Sequence, residues 1–246
     1  MMFIPTEWLL ASALVAIYLF DSAHFLCIGE AVIATRLGSL RALSFGSSFE
    51  VGGRRPYVPN PFTPCWPELR AEWDMSGHSR TAPDMVTAEM TSRLRVLEPI
   101  GWLSTACAVL MVIVAPIALV TGQDRIFVIA AVLCFLIAAV ASVGVLRRRR
   151  VLGLSVWQAV SIIAVAMVCL PCSGNLARAV SIQRCWTLPA SELPSLGFDT
   201  ARIPGIEGDL RELLARAQRL LPEDSAEHRV VSAQLKLVEA SLNERE

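Results

Sequence analysis

The chain has 246 residues, of which 54% are hydrophobic and 18% are charged, and its mean hydropathy is +0.53. Charged residues make up about a quarter of an ordinary soluble domain, so this composition favours a membrane protein. The 22 basic and 22 acidic side chains cancel to a formal net charge of zero. The basic surface that nucleic acids require is therefore not expected, and no nucleic-acid partner is assigned.

Four stretches of the sequence are apolar over about 20 residues, the length at which a helix crosses a hydrocarbon core about 30 Å thick. Only a few residues separate the last three stretches, so we expect antiparallel hairpins there. The sequence therefore predicts an all-α integral membrane protein with a four-helix transmembrane bundle. The predicted spans are residues 8–28, 100–120, 126–146 and 151–172.

Arginines near the ends of these spans predict the orientation, because basic residues in short loops are retained on the cytoplasmic side of a bacterial inner membrane. Residues 147–150 are consecutive arginines between the third and fourth spans. Arg36, Arg41, Arg93 and Arg95 flank the loop between the first and second spans. Both termini are therefore expected on the extracytoplasmic side of the inner membrane.

The first predicted span carries ionisable residues, which are costly inside a bilayer and mark candidate functional sites. Asp21 and His24 are three residues apart, with Tyr18 about one turn before them and Cys27 about one turn after. On a continuous helix all four would lie on adjoining parts of one face. The row would offer oxygen, nitrogen and sulfur atoms for proton transfer or for metal binding.

Two interpretations of this row are open. In the functional one, Asp21 fixes the tautomer of His24, and the second imidazole nitrogen is left for a metal or a proton. In the structural one, which is favoured, the two side chains hydrogen-bond each other or a backbone carbonyl at a helix contact. No metal is assigned, because a zinc site needs several ligands and no second span offers a histidine or an acidic partner.

The predicted loop at residues 29–98 is too long for a simple connector, and we expect it to form a small cytoplasmic structure. Residues 48–58 predict a β-hairpin, because Gly52 and Gly53 can both adopt the positive φ of a type I′ turn. Residues 81–98 predict a helix with a proline near its first turn, and this helix continues into the second span.

A proline-rich segment, residues 56–67, follows the hairpin turn. Its five prolines exclude a helix, and they alternate with Tyr57, Phe62 and Trp66. In one interpretation these aromatics and a polyproline-like backbone form a docking surface for a partner protein. In the other, which is slightly favoured, they lie at the membrane interface and cap the bundle.

The third predicted span has a row of small residues spaced four apart, Ala130, Cys134, Ala138 and Ser142. Small side chains let the backbones of two membrane helices approach closely. We therefore expect this face of the helix to pack against another helix of the protein.

The sequence contains seven cysteines, and several fall inside predicted spans, where a thiol packs as a small apolar group. Cys172 and Cys185, at and beyond the end of the fourth span, are candidates for a disulfide if that side is extracytoplasmic. The alternative is two unrelated thiols. Cys169 and Cys172 have the spacing of a thiol-exchange motif, but they close an apolar helix instead of opening one, so no exchange role is assigned to them.

A proline-containing linker at residues 173–205 leads to residues 206–246, where apolar residues recur at helical spacing on both sides of Pro222. This pattern predicts a helical hairpin outside the membrane with one apolar face. Either that face binds a protein partner or a second copy of the chain, or the protein's own linker covers it.

The sequence has no phosphate-binding glycine loop, nucleophile elbow or HExxH zinc helix, and no cofactor is evident. The leading hypothesis is a non-enzymatic accessory or scaffold subunit of a membrane complex, whose partners are the lipid bilayer and another protein. The alternative is a redox or metal-handling membrane protein that uses Asp21, His24 and Cys27. A transport component is the third hypothesis, and it is disfavoured because the sequence lacks inverted repeats and several charged spans.

Overall fold

The computed structural model describes residues 5–36, 39–73, 83–190, 193, 196 and 203–243. Of the described residues, 65% are helical and 13% lie in strands. The chain divides into two compact units, which we name the helical unit and the sheet unit. The helical unit comprises Met1–His24, Val58–Pro67 and Arg93–Arg184, and the sheet unit comprises Phe25–Tyr57, Glu68–Ser92 and Cys185–Glu246.

A long helical stretch changes its winding before a proline. A π-helical segment at Val109–Val114 joins α2 (Pro83–Ala108) to α3 (Ala115–Val120) while the backbone stays helical. Pro116 lies in the first turn of α3, and a proline removes one i→i−4 hydrogen bond and crowds the preceding turn. The wider π-helical turns before it accommodate that loss.

The helices that contribute to the helical unit are α1 (Thr6–Ser22), α2 (Pro83–Ala108), α3 (Ala115–Val120), α4 (Asp124–Arg148), α5 (Val156–Val168), α6 (Leu170–Ser173) and α7 (Leu176–Ser181).

Small side chains form much of the core of the helical unit. The predicted packing face of α4 is confirmed, because Ala130, Cys134, Ala138 and Ser142 are all 5% exposed or less. Helices that meet through such small residues approach closely. Alanines of neighbouring helices are buried as well: Ala115 and Ala118 on α3, Ala159 and Ala166 on α5, and Ala177 on α7.

Two helical stretches among the described residues are long and apolar enough to cross a membrane, Met85–Val120 with 36 residues and Asp124–Arg148 with 25. Only 33% and 28% of their most apolar parts are buried. On the outer face of α4, Val132, Leu136 and Val140 are each more than half exposed. Apolar side chains directed outward along a helix of this length are typical of a membrane span.

The predicted four-span all-α bundle is wrong. The first predicted span, residues 8–28, stops being helical after Ser22, and the chain then enters a strand. The fourth, residues 151–172, contains α5 with 13 residues. At about 1.5 Å per residue α5 reaches about 20 Å and falls short of a core about 30 Å thick. It ends because Cys169 leaves helical geometry shortly before Pro171, which cannot continue a helix.

The described strands form two sheets, so the architecture is a mixture of helices and sheets. One sheet pairs β1 (His24–Leu26) with β4 (Arg55–Tyr57). The other has the strand order β3–β2–β5–β6, in which β2 is antiparallel to both neighbours and β5 is parallel to β6. Its strands are β2 (Glu30–Arg36), β3 (Ser39–Ser44), β5 (Glu68–Trp73) and β6 (Cys185–Leu188).

The sequence of β2 explains its central position. Ala31, Val32 and Ile33 are consecutive and fully buried. A continuous apolar run of this kind suits a strand that is covered on both faces. On the neighbouring β5, Leu69 and Trp73 are buried while Glu72 is exposed, so the core of the sheet unit lies along these two strands.

The parallel pair of β5 and β6 gives a second reason why the four-span prediction is wrong. Arg70 pairs with Cys185 and Trp73 pairs with Leu188, so segments before α2 and after α7 belong to one sheet. Paired strands must lie on the same side of a membrane, because an open sheet edge is not tolerated in lipid. The chain between them can therefore cross only an even number of times. The prediction placed three spans there.

The structure has a two-residue turn at the two glycines, but the runs on either side of it do not pair as the predicted β-hairpin at residues 48–58. Gly52 and Gly53 have φ values of 59° and 75°, in the left-handed region that favours glycine. Across them, Val51 and Arg54 exchange backbone hydrogen bonds of 2.8 and 3.2 Å. The pairing is a single isolated bridge, and the chain then continues into β4, whose partner is β1.

The carboxyl-terminal residues form α8 (Ile203–Leu220) and α9 (Ala226–Asn243) in the sheet unit. Leu210 and Leu214 on α8 and Val231 on α9 are fully buried. Ala190 of the preceding linker is buried too, and its N–H donates to Oε1 of Gln234 on α9 at 3.4 Å. Apolar residues of both helices are therefore buried inside the sheet unit, and the preceding linker contacts α9.

Candidate functional site

The four residues Tyr18, Asp21, His24 and Cys27 do not share a helix. α1 ends because Ala23 adopts an extended conformation (φ −76°, ψ 138°), and His24 opens β1. Cys27 follows that strand and is exposed. Tyr18 and Asp21 remain on α1, but the predicted row of donors on one helical face is wrong.

A buried asparagine binds the end of α1. Asn175 begins α7 and is 2% exposed, and its Nδ2 donates to the carbonyl of Tyr18 at 3.0 Å and to Oδ2 of Asp21 at 3.1 Å. Burial raises the pKa of the Asp21 carboxyl, and the hydrogen bond from Asn175 opposes that rise. One amide thus satisfies two acceptors of α1, which is a structural role.

A buried arginine and a tyrosine bind the proline-rich segment. Arg178 on α7 is 1% exposed, and its Nη2 donates to the carbonyls of Asn60 at 2.6 Å and Thr63 at 2.8 Å. The hydroxyl of Tyr18 donates to the carbonyl of Pro61 at 2.7 Å. Two side chains of the helical unit therefore satisfy three carbonyls that lie close together in the chain.

The composition of the proline-rich segment explains why it needs such donors. Prolines have no N–H, and residues 58–67 form neither a helix nor a strand. Turn hydrogen bonds meet part of this need, because the N–H groups of Thr63 and Trp66 donate to the carbonyls of Asn60 and Thr63 at 3.2 and 3.1 Å. Each carbonyl oxygen has a second lone pair, which a side chain or water can bind. An arginine suits this task, because one guanidinium donates to several oxygens in a fixed geometry.

The proline-rich segment also lies directly against the backbone of α2. A Cβ atom added at Gly101 would be 2.5 Å from the carbonyl oxygen of Cys65. Real Cβ contacts of this kind do not occur, so only glycine permits the approach. The segment and α2 therefore meet backbone to backbone at this point.

The structure assigns the three predicted docking aromatics to different units. Tyr57 lies on β4 in the sheet unit, and its hydroxyl donates to Oε1 of Glu68 at 3.1 Å. Phe62 and Trp66 belong to the helical unit, where Phe62 is 88% exposed and Trp66 is half-buried. Phe62 borders an apolar cavity of about 250 Å³, together with Val112. Docking at the proline-rich segment stays a prediction, and it now depends on Phe62.

The predicted disulfide between Cys172 and Cys185 is wrong. Cys172 is bonded to Cys169, with their Cα atoms 5.3 Å apart, and Cys185 is free. The break in the helix at Cys169 (φ −111°, ψ 90°) turns the chain so that these two cysteines come together. Disulfides need Cα atoms about 4.4 to 6.8 Å apart.

Two further thiols lie next to the turn that carries the disulfide. Cys134 on α4 is fully buried, and its Sγ is 3.3 Å from Oγ of Ser173, the residue after Cys172. The thiol of Cys107 on α2 donates to the carbonyl of Cys134 at 3.6 Å. Within the part of the chain that the structure describes, no group of three or more His, Cys, Asp or Glu side chains is placed to hold a metal ion.

A charged cluster lies on neighbouring strands of the larger sheet. Arg70 forms an ion pair with Glu30, and the thiol of Cys185 donates to Oε2 of Glu72 at 3.8 Å. Burial raises the pKa of Cys185 to about 11; the carboxylates of Glu72 and Glu30 add to that rise, and Arg70 opposes it. At neutral pH this thiol is therefore protonated and a poor nucleophile.

The sequence did not identify Asn175 and Arg178, which bind α1 and the proline-rich segment, as functional residues. Both occur in an apolar run, residues 170–182, that contains no acidic residue. An arginine in such a run must find oxygen acceptors elsewhere, which was the available signal. Its acceptors on Asn60 and Thr63 lie 118 and 115 residues away, and no local pattern identifies them.

No family model matches the chain, and the comparisons with curated proteins and with solved structures return no match either. A functional proposal must therefore come from the residues themselves. The contacts of the helical unit and the topology of the larger sheet supply its basis.

Replacing Gly101 by alanine should destabilise the helical unit, because the new Cβ would meet the backbone of Cys65 at 2.5 Å. We expect the free energy of unfolding to fall by about 1–3 kcal/mol, the usual cost of overpacking. Gly144→Ala on α4 is the matched control, since its Cβ would meet only Cγ1 of Ile100 at 3.8 Å. Alanine favours a helix interior over glycine by about 0.5–1 kcal/mol. Circular dichroism in detergent should show a lower Tm for Gly101→Ala alone; equal Tm values would contradict the backbone contact.

Arg178→Met should loosen the proline-rich segment, because the carbonyls of Asn60 and Thr63 lose the charged donor that links them to α7 and keep only their turn hydrogen bonds within the segment. A hydrogen bond to a charged group contributes about 1.5–3 kcal/mol. The segment contains the partly buried thiol of Cys65, which a maleimide should label about tenfold faster or more in the variant, since about 1.4 kcal/mol corresponds to a factor of ten. Arg125→Met, at an exposed arginine of the same unit, should leave that rate unchanged. Identical labelling rates in all three proteins would show that Arg178 does not hold the segment.

Alkylation of Cys185 should be slow at pH 8 and should keep rising with pH towards about 11. At pH 8 its thiolate fraction is about a hundredfold smaller than that of a thiol with the ordinary pKa of 9.0. Glu72→Gln removes a carboxylate that raises this pKa, so the variant should react faster at pH 8. The rates are measured by mass spectrometry in a Cys27→Ser background, which removes an exposed competing thiol. A rate that levels off below pH 9, or no acceleration in Glu72→Gln, would contradict the assignment.

Proposed function

We propose that the protein is a non-enzymatic accessory or scaffold subunit of a bacterial inner-membrane complex. In this proposal the apolar parts of Met85–Val120 and Asp124–Arg148 cross the membrane as a hairpin, and the sheet unit is presented to a protein partner in the cytoplasm. The observation that carries the proposal is the order of elements along the chain. Two apolar, outward-facing helical stretches lie in sequence between β5 and β6, which pair with each other in one sheet.

Arginine contacts support the hairpin and its orientation. Nη1 of Arg93 on α2 donates to the carbonyl of Leu152 at 2.7 Å, and Nη1 of Arg148 on α4 donates to the carbonyl of Val96 at 3.0 Å. The arginine-bearing ends of the two helices therefore lie together. Basic residues at span ends favour the cytoplasmic side, and with two crossings the strands on either side of the hairpin share that side.

This topology differs from the orientation predicted from the sequence. The sequence predicted an extracytoplasmic carboxyl terminus because it predicted three membrane crossings after the first loop. The pairing of β5 with β6 requires an even number of crossings between them. We therefore propose a cytoplasmic location for α8 and α9. The membrane location itself is supported by the length and apolar surface of the two helical stretches.

Exposed apolar side chains on the sheet unit support a protein partner. Phe49 and Val51 precede the glycine turn and are 61% and 55% exposed, and Phe25 on β1 is 51% exposed. Exposed apolar groups of this size are typical of protein interaction sites. Glu50 lies between the first two and accepts hydrogen bonds from Arg55 at 3.2 Å and Arg216 at 2.6 Å. These contacts hold the turn in place, which lowers the entropy cost of binding there.

The other hypotheses receive less support. The redox or metal-handling alternative required Asp21, His24 and Cys27 on one helical face, and α1 ends before His24. A transport role has no described contact in its favour. The scaffold proposal therefore agrees best with the contacts on the sheet unit.

Thiol labelling tests the topology. Cys27 is an exposed cysteine of the sheet unit, so a membrane-impermeant maleimide should label it in inside-out vesicles and not in intact spheroplasts. Gln123→Cys, in the exposed link between α3 and α4, should show the opposite behaviour. Labelled peptides are identified by mass spectrometry. Labelling of both positions from the same side would rule out the hairpin, and labelling of Cys27 in spheroplasts would reverse the orientation.

Native mass spectrometry in mild detergent tests the scaffold role. The wild-type protein should retain a protein partner in fixed stoichiometry. The double variant Phe49→Ser and Val51→Ser should lose about tenfold or more of its affinity, because central apolar anchors each contribute about 1–2 kcal/mol or more. Leu237→Ser on α9, at a leucine of similar exposure, is the matched control and should retain the partner. A wild-type protein that carries no partner, or equal retention by all three proteins, counts against the proposal.

A further inference from the structure

The disulfide between Cys169 and Cys172 contributes little as a structural bond. Its cysteines have a sequence separation of only 3, and the stabilisation from a disulfide grows with the number of residues that it encloses. A bond across so short a loop constrains the unfolded chain weakly. The two residues instead have the C-x-x-C spacing that thiol–disulfide exchange uses.

The two sulfurs differ in exposure. Cys172 is buried, with 8% of its surface exposed, whereas Cys169 is partly exposed and follows Val168, which is 88% exposed. An incoming thiolate must reach one sulfur of the disulfide, and the other sulfur then leaves. Access therefore favours attack on Cys169, with Cys172 as the leaving sulfur.

The turn between the two cysteines is held by hydrogen bonds that do not involve their sulfurs. The N–H of Cys172 donates to the carbonyl of Cys169 at 2.9 Å, and the N–H of Cys169 donates to the carbonyl of Val165 at 2.8 Å. Oγ of Ser173 donates to the carbonyl of Leu170 at 2.6 Å. These bonds keep the two cysteines close together when the disulfide is open, as reversible exchange requires.

We propose that the Cys169–Cys172 disulfide is a two-electron acceptor that oxidises a dithiol to a disulfide. One thiolate of the dithiol attacks Sγ of Cys169 and forms a new S–S bond. The electron pair of the broken bond stays on Sγ of Cys172, which takes up a proton. The second thiolate then attacks the substrate's own sulfur in this mixed disulfide, the substrate leaves as a disulfide, and Sγ of Cys169 takes up a proton. The dithiol loses two electrons and two protons, and the two cysteines gain them.

This activity goes beyond the scaffold role and does not depend on it. Cys134 and Cys107 are not needed for the transfer, because the two cysteines of the turn accept both electrons. The turn lies against Cys134, near the middle of a stretch proposed to cross the membrane. The substrate is therefore defined by its chemistry as a dithiol that can enter an apolar, lipid-facing surface and reach the partly exposed edge at Cys169.

A single-turnover reaction tests the proposal on the full-length protein in mild detergent. The oxidised protein, freed of excess oxidant, is mixed without oxygen with dithiothreitol or with a short peptide that contains two cysteines. Acid quenching and mass-tagged maleimide then identify the open cysteines. We expect Cys169 and Cys172 to open together, about tenfold faster or more than the same dithiol reduces glutathione disulfide. Reaction with the peptide would indicate that the substrate is a protein dithiol. Reaction with dithiothreitol but not with the peptide would indicate a small-molecule dithiol. A rate no faster than that of glutathione disulfide, or opening only after unfolding, would overturn the proposal.

A trapping experiment separates the roles of the two sulfurs. In Cys172→Ser, the remaining thiol of Cys169 should attack the oxidised peptide and form a mixed disulfide that no second cysteine of the turn resolves. In Cys169→Ser, the buried thiol of Cys172 should form the mixed disulfide with the peptide at least about tenfold more slowly. Equal capture, or faster capture at Cys172, would overturn the assignment of Cys169. The first experiment uses only wild-type protein, so a variant that fails to fold does not weaken the test.

Discussion

The pairing of β5 with β6 constrains the rest of the chain. All helices from α2 to α7 lie between these two strands in sequence, yet the strands hydrogen-bond in parallel from Arg70 with Cys185 to Trp73 with Leu188. A sheet edge cannot remain open in lipid. Whatever part of the intervening chain enters a membrane must therefore return to the side that it left. This requirement excludes an odd number of spans between β5 and β6, and the proposed hairpin satisfies it.

Backbone hydrogen bonding imposes a second constraint, inside the helical unit. The proline-rich segment has no sheet ladder and lacks many N–H groups, so turn bonds within it meet only part of its hydrogen-bonding capacity and other elements supply further donors. Tyr18 supplies one, and the buried guanidinium of Arg178 supplies others. Asn175, the residue just before the helix that carries Arg178, binds the end of α1. A short stretch around α7 thus organises two distant parts of the chain.

The sulfur chemistry depends on the same feature that shortens the fourth predicted span. Cys169 leaves the helix before Pro171, and this break brings its sulfur to Cys172. In an unbroken helix these two side chains would lie one turn apart along a continuous apolar face, as the sequence analysis assumed. The candidate redox site therefore lies where α5 gives way to α6, with Cys169 between the two helices and Cys172 on α6, whereas the sequence pointed to Asp21, His24 and Cys27. The spacing of Cys169 and Cys172 was visible in the sequence, but their exposure was not.

The sequence by itself determined the features that depend on neighbouring residues. The glycine turn, the packing face of α4 and the two helices on either side of Pro222 follow from backbone freedom, side-chain size and apolar spacing over a few turns. Only the tertiary structure decided where α1 stops and which strands form. β1 and β6 exist because β4 and β5 satisfy their backbone groups, and Arg178 is buried because its acceptors arrive from 115 and 118 residues away. Hydropathy reports how apolar a stretch is, and it carries no information about which distant group will complete its hydrogen bonds.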